Sequence, residues 1–210
     1  MSYAVKETFL TLQGEGMQSG SRAVFLRFAG CNLWSGREAD RAAAQCNFCD
    51  TDFVGTDGPG GGKFADADAL ADHVERLWGV LGDGRLVVIT GGEPMLQLDE
   101  ALVGALHERG FRVAVESNGT LNATAGIDWL CVSPKAGTDV VQRRGDELKL
   151  VWPQAGIDPA ELELWDFEHF LVQPMDCADR EAAMDAAIAL AMERPKWRLS
   201  LQAHKVLGLP

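Results

Sequence analysis

From about residue 20 onward, short apolar runs alternate with amphipathic stretches, and a polar cluster closes five of the apolar runs. AGC follows VFLRF, TGGEP follows LVVI, ESNGT follows RVAV, SPK follows WLCV and QPMD follows HFLV. Short apolar runs bounded by turn residues read as buried strands, and apolar residues at i, i+3, i+4 spacing read as helices. Strands are expected at 23–28, 86–89, 112–115, 127–132, 148–152, 169–172 and 197–202. Helices are expected at 66–81, at 98–107 before Gly110, and at 180–192 before Pro195. In the first helix Leu70, Val74, Leu77, Trp78 and Leu81 share one face. Such alternation builds a mainly parallel sheet covered by helices. Eight full βα units need about 250 residues, and this chain has 210. The expected fold is therefore α/β, a partial (β/α) barrel of about six units in a single domain spanning 1–210. Strand C-terminal ends share one face in such folds, so the five polar clusters converge on one candidate active site.

Charge narrows the partners. Nineteen basic against 31 acidic residues give a net charge of −12, which repels phosphate backbones and anionic membranes. No nucleic-acid or membrane partner is expected, and a small anionic substrate would need a local basic pocket. No run approaches the ~18 apolar residues of a membrane span, and the first residues lack the order of a secretory signal. Five cysteines, three of them in one loop, do not suit a secreted disulfide framework. A cytoplasmic protein is expected.

The cysteines of that loop, Cys31, Cys46 and Cys49, leave fourteen and two residues between them. Three thiolates can share one metal centre and leave a coordination position open for chemistry. A zinc site completed by Cys131 or Cys177, or a redox pair at Cys46 and Cys49, would use the same residues. Cys131 lies within an apolar run and reads as a core thiol. Arg27 interrupts another apolar run, so its side chain enters either a site or solvent. GPGGGK and GEGMQSG do not complete a phosphate loop, because Phe64 follows Lys63 and the third glycine is missing. His73 and His107 fall on expected helices and read as surface residues.

GCNL at 30–33, CNFCDT at 46–51, TGGEP at 90–94 and ESNGT at 116–120 together resemble the radical S-adenosylmethionine (SAM) superfamily. LQGEG at 12–16, SPK at 133–135 and QPMD at 173–176 narrow the likeness to its 7-carboxy-7-deazaguanine synthase family. The likeness runs from residue 11 to the C-terminus. Members of the superfamily usually separate the first two cysteines by three residues, so residues 35–45 stand as an insertion of eleven within the loop 31–63. Its Ala, Arg and Glu content suits a short helix.

The resemblance implies a 4Fe–4S cluster on Cys31, Cys46 and Cys49, SAM, and Mg²⁺ at Thr51. It implies SAM contacts from Phe48, Cys49, Asp50, Gly92, Ser133, Pro134, Lys135, Gln173, Pro174, Met175 and Asp176. Substrate contacts are implied at Leu12, Gln13, Gly14, Arg27, Thr90 and Pro210, and Glu116 is a further candidate for the guanidine-like edge of a pterin. Gly91 and Gly92 would let backbone approach the methionyl group. The implied reaction is the radical ring contraction of 6-carboxy-5,6,7,8-tetrahydropterin with loss of ammonia, in deazapurine and queuosine biosynthesis. A reductant such as flavodoxin and a homodimer are the implied partners. An activase that takes hydrogen from a partner protein, or a zinc- or cluster-binding interaction module, would share parts of the pattern. The bland readings are a core aromatic at Phe48, a structural ion pair at Glu116 and a loop-ordering hydroxyl at Thr51.

Overall fold

The alternating runs form the parallel sheet they predict. The structure, a computed structural model, describes residues 2–210. Seven strands run parallel in chain order: β2 (Arg22–Phe28), β4 (Leu86–Gly91), β5 (Arg112–Ser117), β6 (Trp129–Val132), β7 (Arg144–Trp152), β8 (Asp166–Pro174) and β9 (Trp197–Leu199). Two antiparallel strands extend the β2 edge, β1 (Tyr3–Leu12) and then β3 (Gly62–Phe64). The sheet ends at β3 on one side and β9 on the other, so it is an open partial barrel.

Strand β1 has no counterpart among the strands expected from the sequence. Its register shifts between Val5 and Glu7, which breaks the two-residue alternation that would have marked it. β9 is also shorter than the run 197–202, because Ser200 turns its backbone N–H to Val172 O and the chain then leaves the sheet.

Helices α1 (Ala67–Trp78), α2 (Glu100–Glu108), α3 (Pro159–Leu162) and α4 (Arg180–Glu193) lie in four of the crossovers. Each begins at an aspartate whose carboxylate accepts a first-turn N–H: Asp66, Asp99, Asp158 and Asp179. The β5–β6 and β6–β7 crossovers carry no helix, because residues 118–128 and 133–143 are polar and lack an apolar period. Gly79, with φ of 80°, ends α1. Leu81 therefore lies beyond the helix and is exposed, not part of its buried face. His73 is not a plain surface residue either, since its ring packs 5.1 Å from Phe64.

Strand alternation separates two environments. Val24, Leu26, Phe28, Val87, Ile89, Val113, Val115, Leu148 and Leu150 pack with Leu70, Val74, Trp78, Leu102 and Leu106 of α1 and α2 in the main core. The intervening residues face the concave side. There Ala23, Val88 and Ala114 make a small apolar floor with Phe25 and Trp129. Polar side chains continue from this floor toward the strand ends.

Asp99 joins the overlooked β1 to the helical layer, because its carboxylate caps α2 through Leu102 N at 3.0 Å and accepts Tyr3 OH at 2.6 Å. Asp99→Ala removes the cap and strands a buried hydroxyl, for a loss of roughly 2–4 kcal/mol. Tyr3→Phe loses one hydrogen bond and keeps the cap, for about 1 kcal/mol. Denaturant titration checks the order, and equal losses would refute the double role.

Candidate active site

The concave residues at one level of the barrel are Arg27, Thr90, Glu116, Cys131 and Glu147. Strand pairing sets Arg27 beside Thr90, Glu116 beside Cys131 and Cys131 beside Glu147. Lys149 lies one concave step above Glu147. Both are buried, on a strand whose outward residues Leu148 and Leu150 made the segment read as simply apolar.

Lys149 Nζ contacts Glu116 Oε2 and Glu15 Oε2, each at 2.8 Å. Burial opposes the ammonium, and the two carboxylates outweigh that cost, so its pKa stands well above the ordinary lysine value. Burial also raises Glu15, but the Lys149 charge and hydrogen bonds from Lys149, Gln202 and Gln173 overcome it and leave the carboxyl at about 2. Glu116 moves the other way. Desolvation, reinforced by the charges of Glu147 and Glu15, raises its pKa despite Lys149. Glu116 is thus in an ion pair, and Gln13 Nε2 donates to its other oxygen at 3.4 Å. Glu15 and Lys149 were overlooked in the sequence; a lysine on the alternating face of an apolar strand was the available signal.

Arg27 points into the cavity rather than to bulk solvent, where Nε donates to Glu7 Oε1 at 2.7 Å. Its terminal nitrogens make no hydrogen bond to protein among the described residues. The geometry leaves a guanidinium fork facing the site, anchored from behind.

Cys31, Cys46 and Cys49 line the same cavity as this charged end. Cys46 and Cys49 act on each other, so that the Cys49 thiol is held below the ordinary thiol range while that of Cys46 is pushed up. Burial raises Cys31. Cys131 instead donates to Glu147 Oε1 at 3.5 Å, and Cys177 to Asp179 O at 3.4 Å, so neither joins the three. Among the described residues no three His, Cys, Asp or Glu side chains converge closely enough for a single metal ion. Three thiols around one cavity with no fourth cysteine fit a multi-iron cluster with an open corner better than a zinc site.

Gly92 follows β4, and a Cβ there would strike Gly30 O and the Cys31 Cβ. Close approach of the cysteine loop, not of a ligand alone, requires that glycine. Buried Glu93 ties the same corner to β5 by accepting Ser117 Oγ at 2.8 Å and Asn118 N at 2.7 Å.

The cavity encloses about 470 Å³, the size of a small-molecule site. It brings together Leu12, Gln13, Gly14, Arg27, Phe48, Asp50, Thr51, Thr90, Gly92, Glu116, Ser133, Lys135, Gln173, Pro174, Asp176 and Pro210 with the three cysteines. Pro134 and Met175 stand outside the lining. Pro134 O accepts Gln154 Nε2 at 3.4 Å, and Met175 N donates to Trp152 O at 2.8 Å. Lys135 bonds Ser133 Oγ at 2.7 Å and sits 5.9 Å from the Phe48 ring, so Phe48 is a cavity aromatic. Thr51 Oγ1 donates to Asp50 Oδ1 at 3.4 Å.

The chain end closes the rim. Helix α5 (Ala203–Leu207) follows Gln202, which donates to Glu15 at 2.9 Å, and Lys205 bridges Asp50 and Asp176 at 2.6 Å each. Pro210 O accepts Thr11 Oγ1 at 3.5 Å. The sequence pattern did not disclose α5 or the Lys205 bridge, since both depend on residues more than 25 positions away.

Lys149→Met leaves Glu15 and Glu116 buried without their cation and is expected to cost roughly 3–5 kcal/mol near pH 7. Without the ammonium both carboxyl pKa values rise above their unfolded values, so the loss is greatest above those values and shrinks as pH falls through them. Thermal melts at pH 7.5 and pH 5 check the sign. A deficit equal at both pH values would break the argument.

Comparison with known proteins bears on the whole chain. The radical SAM superfamily pattern matches residues 40–148. The 7-carboxy-7-deazaguanine synthases of Caulobacter vibrioides and Bordetella pertussis are 62% and 60% identical over 210 residues, covering all of both chains. A crystal structure of QueE from Escherichia coli superposes with a TM-score of 0.70 at 27% identity, covering 97% of this chain and 95% of that one. With the three-thiol loop and the concave charged site on one rim, these likenesses establish that the chain belongs to the 7-carboxy-7-deazaguanine synthase family of radical SAM enzymes.

Proposed function

We propose that this enzyme converts 6-carboxy-5,6,7,8-tetrahydropterin to 7-carboxy-7-deazaguanine and ammonia. The observation that carries this reading is the division of one cavity into a thiol end at Cys31, Cys46 and Cys49 and a charged end at Arg27, Gln13 and Glu116. When bound, the cluster and SAM would supply the radical chemistry that activates the ring carbon bearing the carboxylate. The chain supplies everything else.

Phe48, Asp50, Gly92, Ser133, Lys135, Gln173, Pro174 and Asp176 would hold SAM against the thiol end, with Pro134 and Met175 shaping the turns behind them. Arg27 presents its terminal nitrogens as a fork for the substrate carboxylate, oriented by Glu7. Glu116 and Gln13 accept and donate hydrogen bonds at the guanidine-like edge, next to Leu12, Gly14 and Thr90. Thr51 offers a hard oxygen to Mg²⁺ held mainly by water and substrate oxygens. Pro210, which also lines the cavity, would accept from ring N–H groups through its backbone oxygen. Carboxytetrahydropterin less ammonia has the composition of the product, so the ring contraction is redox-neutral overall and the rim residues would exclude water and stray hydrogen donors. A reduced flavodoxin as electron source, a homodimer as the working unit and the cytoplasm as its location complete the proposal.

Anaerobic reconstitution with iron and sulfide, then incubation with SAM, dithionite, Mg²⁺ and carboxytetrahydropterin, tests the whole reading. Formation of the deazapurine carboxylate is expected, with loss of turnover in excess chelator and its return with Mg²⁺. Cys31→Ala, Cys46→Ala and Cys49→Ala each abolish cluster assembly and SAM cleavage, whereas Cys131→Ala and Cys177→Ala retain iron. An outer-cysteine variant without iron, beside a loop variant with it, would reverse the ligand assignment.

The chain end gives a separate expectation. Two residues added after Pro210 push atoms into the cavity that Pro210 lines. A fall of at least about 10-fold in kcat/KM follows, equivalent to ~1.4 kcal/mol of transition-state binding. A folded extended enzyme with unchanged kcat/KM would place Pro210 outside the substrate's reach.

A further inference from the structure

The eleven residues 35–45 form a short turn of helix, Glu38–Ala43, on the outside of the cysteine loop. The turn is of the tighter 3-10 type and buries no residue, so packing does not explain its presence. One side chain reaches back. Arg41 Nη1 donates to Asn47 O at 3.1 Å and to Cys49 O at 3.0 Å. No other group among the described residues donates to either carbonyl. Its Nε is held by the Glu38 carboxylate at 2.8 Å, and its guanidinium lies 4.1 Å over the Trp34 ring. Trp34 is itself buried, edge-on to Phe53 at 5.6 Å, and donates Nε1 to Arg37 O at 3.2 Å.

One guanidinium therefore spans both sides of the fourteen-residue gap. Trp34 stands three residues after Cys31, and Asn47 and Cys49 form the turn that carries the other two thiols. We propose that Arg41 is a positioning residue for the cluster, locking the Cys46–Cys49 turn against the segment after Cys31. The proposal rests on the cluster reading given above. It also gives the insertion a purpose. Lengthening the loop removes the short tether between the first and second cysteines, and a cross-link within the insertion restores it.

The residue type follows from the contacts. Two carbonyls, one carboxylate and one aromatic face surround a planar group with five donors, a combination that a lysine ammonium cannot satisfy. The same cation bonds the backbone carbonyl of Cys49, and positive charge close to a cluster held by that turn would favour its reduced state.

Wild type, Arg41→Ala, Arg41→Lys and Arg37→Ala, each full length and anaerobically reconstituted, provide the test. Arg37 lies on the same insertion, is exposed and makes no side-chain bond to the cysteine turn. Two quantities are read: the rate of iron transfer to bathophenanthroline sulfonate, and the cluster midpoint potential followed by electron paramagnetic resonance. Arg41→Ala is expected to release iron about 10-fold faster, at the low end of what lost outer-shell contacts cost, and to shift the potential negative. Arg41→Lys keeps the potential near wild type but releases iron faster, and Arg37→Ala matches wild type in both. If Arg41→Ala does not fold by circular dichroism, faster release from Arg41→Lys carries the result. A wild-type release rate and potential in Arg41→Ala, or the same change in Arg37→Ala, would overturn the positioning role alone. A wild-type chain that assembles no four-iron cluster would overturn the cluster reading and this proposal with it.

Discussion

A lysine ammonium sealed from water needs anions in contact with it, and Lys149 draws Glu116 from β5 and Glu15 from the β1–β2 connection to 2.8 Å. That demand organises the rim. Bringing Glu15 inward lays residues 13–17 across the concave face, where Gly16 has no room for a Cβ against the Glu147 carboxylate. Met17 N then donates to Glu147 at 3.0 Å and Gly16 N to Ser200 Oγ at 3.0 Å. Gln202 caps Glu15, Ala203 N reaches Gly14 O, and the C-terminus arrives at the cavity as a consequence. The open edge of the barrel is thereby covered without a further strand.

The same economy of charge explains how a chain of net −12 accommodates an anionic ligand. Five Lys and Arg side chains line the cavity, and four have a carboxylate partner: Lys6 with Asp52 and Asp57, Arg27 with Glu7, Lys149 with two glutamates, Lys205 with two aspartates, while buried Lys135 bonds Ser133 alone. Only Arg27 contacts its carboxylate through Nε while keeping both terminal nitrogens available. Its fork is therefore held in place before a ligand arrives, which lowers the ordering cost of recognition.

Much of this was readable from local pattern. The apolar runs, their parallel order, three of the helices and the polar clusters at strand ends all follow from spacing. The failures have specific causes. The shifted register between Val5 and Glu7 hid β1, Gly79 cut α1 short of Leu81, and the apolar run 148–152 masked Lys149 and began one residue after Glu147. At Gly92 the resemblance points to ligand approach, whereas the nearest obstacle is the protein's own Gly30 and Cys31.

By itself the sequence determined which strand residues alternate between two faces, which helix residues share an apolar face, and that three cysteines share one loop. Those properties have periods of two or 3.6 residues, or spacings within a single loop. Only the tertiary structure decided who meets whom across the cavity. Glu15 and Lys149 are 134 positions apart, Gln202 and Glu15 are 187, and Thr11 and Pro210 are 199. Such pairings depend on strand order, register and the twist that curls the sheet, and no local period encodes them. The chemistry of each residue was written in the chain; its partner was chosen by closing the fold.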